Sequence, residues 1–458
     1  MSTSLSVTFF GGARKVTGSN FLVEVKNGEH STRILVDCGL EQGSRFCESS
    51  NNQPFPYNPS DIDALFLTHA HIDHIGLLPK LVKEGFRGVV YTTEATADLI
   101  PVMLDDGASI MLREAKQCGE EAPYTKADVE QSLGYLSKTQ YKKELSIADG
   151  ISAKLYNAGH ILGSATVFLN IQGTTLLFSG DLGRTPGILV PDTDIPEEGI
   201  DYLITESVYG NRVHESLEES EAALLQAITR ITKKKGTLLV PSFSLERTQI
   251  ILATIDRFIK EKLIEAIPVF LDSPLAIEVT EVYKNNHAYL RDSIQTQIQQ
   301  GDDPFSFPSL RLTYSKEDSK EVDETPPPKI IIAGAGMSHG GRVRNHEKTY
   351  LPDSNSELLL VGYQVPGSLG RRLQDGTKAV TIDGKKVHVR ARVSKTGGFS
   401  AHADRDGLLA FAEAIHPKEA FVVLGEMDSA SFLAQRISGF LGIKTTIPTQ
   451  GERIELKT

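Results

Sequence analysis

One short stretch constrains this chain more than any other. The apolar run Ala64-Leu-Phe-Leu67 is followed at once by Thr68-His69-Ala70-His71-Ile72-Asp73-His74. Four apolar residues in a row read as a buried strand. Five of the next seven residues are polar, which packing alone does not explain. Side chains alternate along an extended chain, so a loop at a strand's end can turn alternate residues toward one point. His69 and His71 share a parity and can reach one ion. Asp73 and His74 follow the turn and can reach a second. Imidazole and carboxylate donors suit zinc and similar first-row ions.

Further donors recur at the ends of predicted strands. They are Asp37 in Leu35-Val-Asp-Cys-Gly39, His160 in Ala158-Gly-His-Ile-Leu-Gly163, Asp181 in Phe178-Ser-Gly-Asp-Leu-Gly183, and His402 in Phe399-Ser-Ala-His-Ala-Asp404. Alone, each has an ordinary reading. A histidine beside glycine is commonly a satisfied loop residue, and an aspartate before glycine commonly a turn residue. Together, their order and contexts point to ligands.

The rest of the pattern supplies a frame. Ser6–Phe10, Asn20–Val25 and Thr32–Val36 read as strands separated by turn residues, and 77–84 and 95–116 as helices. Strands return at Ala165–Ile171, Thr175–Phe178 and Asp201–Thr205. Beyond residue 217, helical stretches at 218–235 and 248–261 alternate with apolar strands at 237–241, 269–271, 329–332 and 358–361. Such alternation predicts a mostly parallel sheet covered on both faces. Residues 299–307 and 317–328 are polar or proline-rich and read as loops, and a strand-helix-strand unit runs from Val387 to the end.

At 458 residues, the chain has length for two or three domains. Its net charge of −11 argues against a surface that grips nucleic acid everywhere, though a local basic groove is compatible with it. Cys38, Cys47 and Cys118 form no metal-type CxxC pair and read as reduced thiols of a cytoplasmic protein. The opening residues carry no basic stretch leading into an apolar one, so no secretory leader is expected. No run of eighteen apolar residues predicts a membrane span.

The series Asp37, His69-x-His71-x-Asp73-His74, His160, Asp181 and His402 resembles the full motif set of the metallo-β-lactamase superfamily. The downstream series is similar to its β-CASP branch of nucleic-acid-processing nucleases, above all the stand-alone RNA-cleaving members of bacteria and archaea. It comprises Thr205–His214, Pro241–Gln249, Asp272-Ser-Pro-Leu275, Ala333–Arg342, Gly362–Arg371 and Ser400-Ala-His402. The resemblance implies an α/β fold: an αββα sandwich from residues 1–207 and 376–458, with a β-CASP domain inserted at 208–375. It implies two divalent ions, zinc first and manganese as the alternative. One is held by His69, His71 and His160 and the other by Asp73, His74 and His402, with Asp181 between them. A hydroxide activated by both metals would hydrolyse RNA phosphodiesters. Asp37 and Glu206, and with them Asp73 and His402, take catalytic or orienting roles. Ser368, Arg342, Arg371 and Arg372 are the candidate phosphate contacts, because guanidinium groups bind phosphate through two parallel hydrogen bonds.

Two departures from the family pattern stand out. Arg372 falls about where the eukaryotic nucleases carry a histidine, and Glu246 stands where relatives carry glycine. The expected partner is single-stranded RNA, cut internally, with 5′ trimming left open as an additional mode, and with no membrane; a homodimer is compatible with the family. A DNA nuclease of the same branch, a small-molecule thioesterase and a non-catalytic scaffold are the competing readings. Ser400-Ala-His402 favours RNA over DNA. The long insert before His402 disfavours a small substrate, and the complete ligand series disfavours a scaffold.

Overall fold

A computed structural model describes residues 4–43 and 46–458. The chain divides into two compact units, Met1–Val213 with His402–Thr458, and His214–Ala401. The first unit holds two seven-stranded sheets. One runs in the order Glu452–Leu456, Ser4–Gly11, Asn20–Asn27, His30–Val36, Ala64–Phe66, Val89–Thr93, Leu136–Thr139. The other runs Lys444–Thr446, Glu419–Val422, Tyr202–Thr205, Thr174–Phe178, Ala165–Ile171, Ile151–Asn157, Leu145–Ala148. The last strand of the chain pairs antiparallel with the first, Leu456 opposite Leu5. That pairing is why one unit is built from both ends of the sequence.

Alternation sorts the faces. Leu5, Val7, Phe9, Phe21 and Val23 from the first sheet and Val167, Leu169, Phe178, Ile204 and Phe421 from the second are all buried in one core. Phe9 meets Phe21 and Phe421, and Phe21 stacks on Phe178. On the second sheet's other face, Leu203 and Val422 pack with Leu408 and Phe411 of helix Arg405–Ile415 and Leu433 and Ile437 of helix Met427–Leu441. Strands buried on both faces lose the hydrophobic-polar alternation and read as continuous apolar runs.

The second unit is a six-stranded parallel sheet. Its order is Leu310–Leu312, Val269–Leu271, Lys329–Ala333, Thr237–Pro241, Glu357–Val361, Arg392–Thr396. A separate hairpin, Ala379–Ile382 with Lys385–His388, packs Val380, Ile382 and Val387 into the same core as Val343 and Leu351. The strand Arg392–Thr396 joins this parallel sheet, so the second unit extends to Ala401, beyond the expected junction at 375/376. Its first boundary falls at 213/214 against the expected 207/208.

Two sequence expectations need correction. Cys47 and Cys118 form a disulfide, with Cα atoms 5.8 Å apart, and are not reduced thiols. Their separation of 71 residues carries no local signal that could have paired them. Residues 317–328, expected as a loop, contain helix Asp318–Glu324. Asp318 anchors its start by accepting from the backbone N–H groups of Tyr314 and Ser315, and Val322 is buried. One buried apolar side chain in seven residues is too little periodicity to announce a helix.

Candidate metal centre

The ligands of the first unit sit on loops laced together by backbone hydrogen bonds. Cys38 N–H donates to His74 O (2.8 Å), and Leu40 N–H to Ile72 O (3.0 Å). This draws the Asp37 loop against the histidine loop. The approach is so close that a Cβ on Gly39 would lie 1.6 Å from Asp73 O. Gly183 N–H donates to Ala158 O, and Ala403 N–H to Leu182 O. A Cβ on Gly183 would lie 1.7 Å from Gly159 O. The His160, Asp181 and His402 loops are therefore fixed to one another through main chain, with Gly183 also bridged to His402.

Two groups of donor atoms converge. His69, His71, His160 and Asp181 form one, and Asp181, Glu206 and His402 the other; within each, the donor atoms lie within 4.8 Å of one another. Asp181 belongs to both. Its Oδ2 stands 3.5 Å from His69 Nε2, 3.6 Å from His160 Nε2 and 3.9 Å from His402 Nδ1. His71 Nδ1 stands 3.0 Å from His69 Nε2 and 3.3 Å from His160 Nε2. The sequence parity of His69 and His71 thus becomes two imidazoles at one point.

His74 approaches from the side, its Nε2 3.4 Å from Asp181 Oδ1. That Nε2 is buried and makes no hydrogen bond. Such an atom is costly in a protein interior unless something else coordinates it. The donor set fits a first-row divalent ion: neutral nitrogens and carboxylate oxygens, with a buried imidazole nitrogen left over. Asp73 lies outside both converging groups but within electrostatic reach of Asp181.

Asp37 is the support of this cluster. It is fully buried. Its carboxylate accepts from His74 Nδ1 (2.7 Å), Ser19 Oγ (3.0 Å), Thr68 N–H (2.9 Å) and Thr68 Oγ1. A carboxylate on Nδ1 fixes the tautomer and leaves the Nε2 lone pair facing the centre. Glu206 is equally enclosed. It accepts from Leu182 N–H at 2.6 Å and Val208 N–H at 3.3 Å, and its Oε1 stands 3.6 Å from His402 Nδ1.

The electrostatics follow from crowding like groups in a dry site. Burial, then the neighbouring His74, holds the His69 imidazole well below its ordinary range. Burial, with Asp181 adding to it, pushes Asp73 up to about 6. Burial opposes ionisation of Asp181, yet His74, His69 and His402 outweigh it and keep that carboxyl well below the usual range. Cys38 stands outside both donor groups, and burial pushes its thiol far up.

The four candidate phosphate contacts lie in the second unit and have varied occupations. Arg342 Nη1 donates to the fully buried Asp272 (2.6 Å) and to Thr313 O, and Nη2 to Tyr314 O. His346 Nε2, Thr313 Oγ1 and Ser319 Oγ complete the shell of Asp272. Arg342 is thus a structural tie in the second unit. Ser368 Oγ caps helix Leu369–Gln374 by accepting from Arg371 N–H. Arg371 Nε reaches Asp375 at 3.0 Å. Arg372 is exposed.

Glu246 is buried, starts helix Arg247–Lys260 at a left-handed φ of 63°, and accepts from Tyr283 Oη. The φ explains why the family pattern has glycine there, and the burial removes Glu246 from any solvent-exposed phosphate path. Sequence reasoning missed two features here. Asp272 was recognisable as a motif, but its role as an anchor needed the partners from 313, 319, 342 and 346. Glu206, expected only in a catalytic or orienting role, stands among the second group of donors.

Comparison with known proteins identifies the family. Residues 14–242 match the metallo-beta-lactamase superfamily model, 248–373 the Beta-Casp domain, and 386–448 the Zn-dependent metallo-hydrolase RNA specificity domain. The chain is 38% identical over 400 residues to Ribonuclease TTHA0252 of Thermus thermophilus, covering 87% of this chain and 89% of that one. It is 31% identical to an RNase J-like protein of Methanocaldococcus jannaschii, covering 97% and 98%. With the transcription termination factor FttA of Methanosarcina mazei it shares 30% identity over 98% of this chain and 71% of that protein. A crystal structure of a protein of unknown function from Enterococcus faecalis V583 has the same fold, with a TM-score of 0.58 at 14% identity over 99% of this chain and 100% of that one. With its donor series intact and its insert matched from 248 to 373, the chain belongs to the β-CASP branch of the metallo-β-lactamase superfamily.

Proposed function

We propose that this protein is a metal-dependent ribonuclease that hydrolyses phosphodiester bonds of single-stranded RNA at a dinuclear zinc centre. One observation carries the reading: two donor groups share Asp181, in a chain 38% identical to a ribonuclease over most of both lengths. Divalent ions bound there would supply Lewis acidity and a hydrolytic nucleophile at neutral pH.

The chain's own residues do the rest. His69, His71 and His160 would hold one ion, and His402 and Glu206 would serve the other, with His74 and Asp73 beside them. Asp181, common to both donor groups, would supply negative charge to both ions. Asp37 holds His74 in the tautomer that presents Nε2, and the main-chain lacing at Gly39 and Gly183 sets the spacing of the loops. No helix among the described residues is long and apolar enough to cross a membrane.

The test is cleavage of a 5′-labelled single-stranded RNA, and of the same sequence as DNA, by zinc-loaded protein. An Asp73→Ala/His74→Ala double variant serves as control. Internal RNA fragments that vanish in the variant are the expected result. Cleavage of DNA alone, or of neither polymer with metal bound, would overturn the proposal.

A further inference from the structure

The second unit carries a concavity of about 540 Å³ whose lining includes Asn345, Lys348, Lys385, Lys386, His388 and Arg390. Its charge is out of keeping with the chain. Between residues 378 and 395 the sequence has six Lys or Arg and one carboxylate, Asp383, in a protein of net charge −11. That carboxylate is already shared: Oδ2 accepts from Lys348 Nζ at 2.9 Å, and Oδ1 stands 2.8 Å from Arg344 Nη2. Among the described residues, Lys385, Lys386 and Arg390 have no carboxylate within ion-pair distance. All three are exposed.

The cations stand on a rigid frame. Residues Ala379–Ile382 and Lys385–His388 form a hairpin closed by Asp383-Gly384, both with left-handed φ (49° and 75°), the conformation of a tight two-residue turn. Buried Val380, Ile382 and Val387 seat it on helix Val343–Tyr350 and Leu351. Arg390 N–H and Ala391 N–H both donate to Leu351 O, at 2.8 and 2.9 Å. Unpaired like charges held side by side on a fixed frame repel, and an anion bound between them removes that cost.

The chemistry selects the anion. Ammonium and guanidinium groups only donate, and Asn345 and Thr349 can add neutral donors; Val387 and Pro352 are the apolar lining. A concavity of this volume with several separated cations suits an anion with repeated charges and many acceptor oxygens. Lys386, His388 and Arg390 also fall at the start of the stretch matching the RNA specificity domain.

We infer that this concavity binds the phosphodiester backbone of the RNA substrate, as an anchoring site within the second unit. The inference rests on the ribonuclease reading for the identity of the polymer. A Lys385→Gln/Lys386→Gln/Arg390→Gln variant removes the charges and keeps the side-chain lengths. A Lys262→Gln/Lys316→Gln/Lys320→Gln variant removes the same charge from exposed positions elsewhere in the unit.

Fluorescence anisotropy with a labelled single-stranded RNA of about 30 nucleotides, over a salt series, reads affinity. Turnover of that RNA and of a short oligonucleotide is measured in parallel. The pocket variant is expected to bind the long RNA about tenfold more weakly, with the salt slope reduced by about 2, as three lost phosphate contacts on a single strand require. Turnover of the short oligonucleotide stays unchanged, which also shows that the variant folds. Equal losses in both variants would reduce the effect to net charge, and unchanged RNA affinity in the pocket variant would remove the site; either overturns the inference. Calorimetry with inorganic pyrophosphate separates the sources. Pyrophosphate binding lost in the pocket variant while RNA affinity is unchanged would assign the site to a free phosphate compound and overturn the RNA assignment. Wild-type protein that binds RNA through the pocket but never cleaves it would defeat the ribonuclease reading and leave the site standing. Normal cleavage with unaffected binding in the pocket variant does the reverse.

Discussion

Glu347 offers a prediction whose size can be worked from its surroundings. It lies on helix Val343–Tyr350, fully buried, and neither carboxylate oxygen makes a hydrogen bond. Ser338 Oγ lies near it but outside hydrogen-bond geometry, and Arg344 supplies a modest opposing field. Burial pushes the carboxyl from 4.5 up to about 7. An acid with a raised pKa in the folded state keeps a proton that the unfolded chain has released. Between pH 4.5 and 7 the folded state therefore binds more protons, and stability falls as pH rises through that window. Each unit is worth about 1.36 kcal/mol, so the full penalty above pH 7 is at most about 3 kcal/mol. Glu347→Gln keeps the shape and removes the ionisation. It should stabilise the second unit at pH 8 by up to about 3 kcal/mol, and by almost nothing at pH 4.5. The chain has no tryptophan, so urea unfolding followed by far-ultraviolet circular dichroism, with the transitions of the two units fitted separately, is the assay. A variant no more stable than wild type at pH 8, with the same pH slope, would refute the reasoning.

Other substitutions test separate parts of the account. Arg342→Ala leaves the buried Asp272 without its guanidinium partner and should cost about 3–5 kcal/mol in stability of the second unit; unchanged thermal unfolding would return Arg342 to the role of a phosphate contact. Tyr283→Phe takes a donor from the buried Glu246 carboxylate and should cost about 1–3 kcal/mol by urea unfolding. Asp37→Ala releases the Nδ1 of His74 and should weaken zinc affinity by about 10–100-fold in chelator competition; an unchanged affinity would make Asp37 purely a packing residue.

The sequence displayed some parts of this protein far better than others, for physical reasons. The histidine loop was legible because neighbouring residues act at one strand end, where parity alone brings His69 and His71 together. The buried strands were legible as apolar runs, and the family pattern pointed to a unit built from both chain ends. What stayed hidden depends on partners distant in sequence. The Cys47–Cys118 link spans 71 residues. The occupation of Arg342 is decided by Asp272, 70 residues away. Glu246 stood out as an acid where the family pattern has glycine, but its burial and left-handed φ are visible only in the fold. Residues 378–395 carry six cations against one acid, but only Lys385 and Lys386 belong to the hairpin, and the concavity these two help line is a property of how the hairpin seats on helix Val343–Tyr350.

The central claim is that Asp181 joins two donor groups into a dinuclear centre. Its most direct test is the number of zinc ions per chain in wild type and Asp181→Ala, counted by mass spectrometry after exhaustive dialysis, with RNA turnover measured on the same samples. Two ions in wild type, one or none in the variant, and turnover reduced by several orders of magnitude is the result predicted. A variant that keeps two ions and full turnover would contradict it.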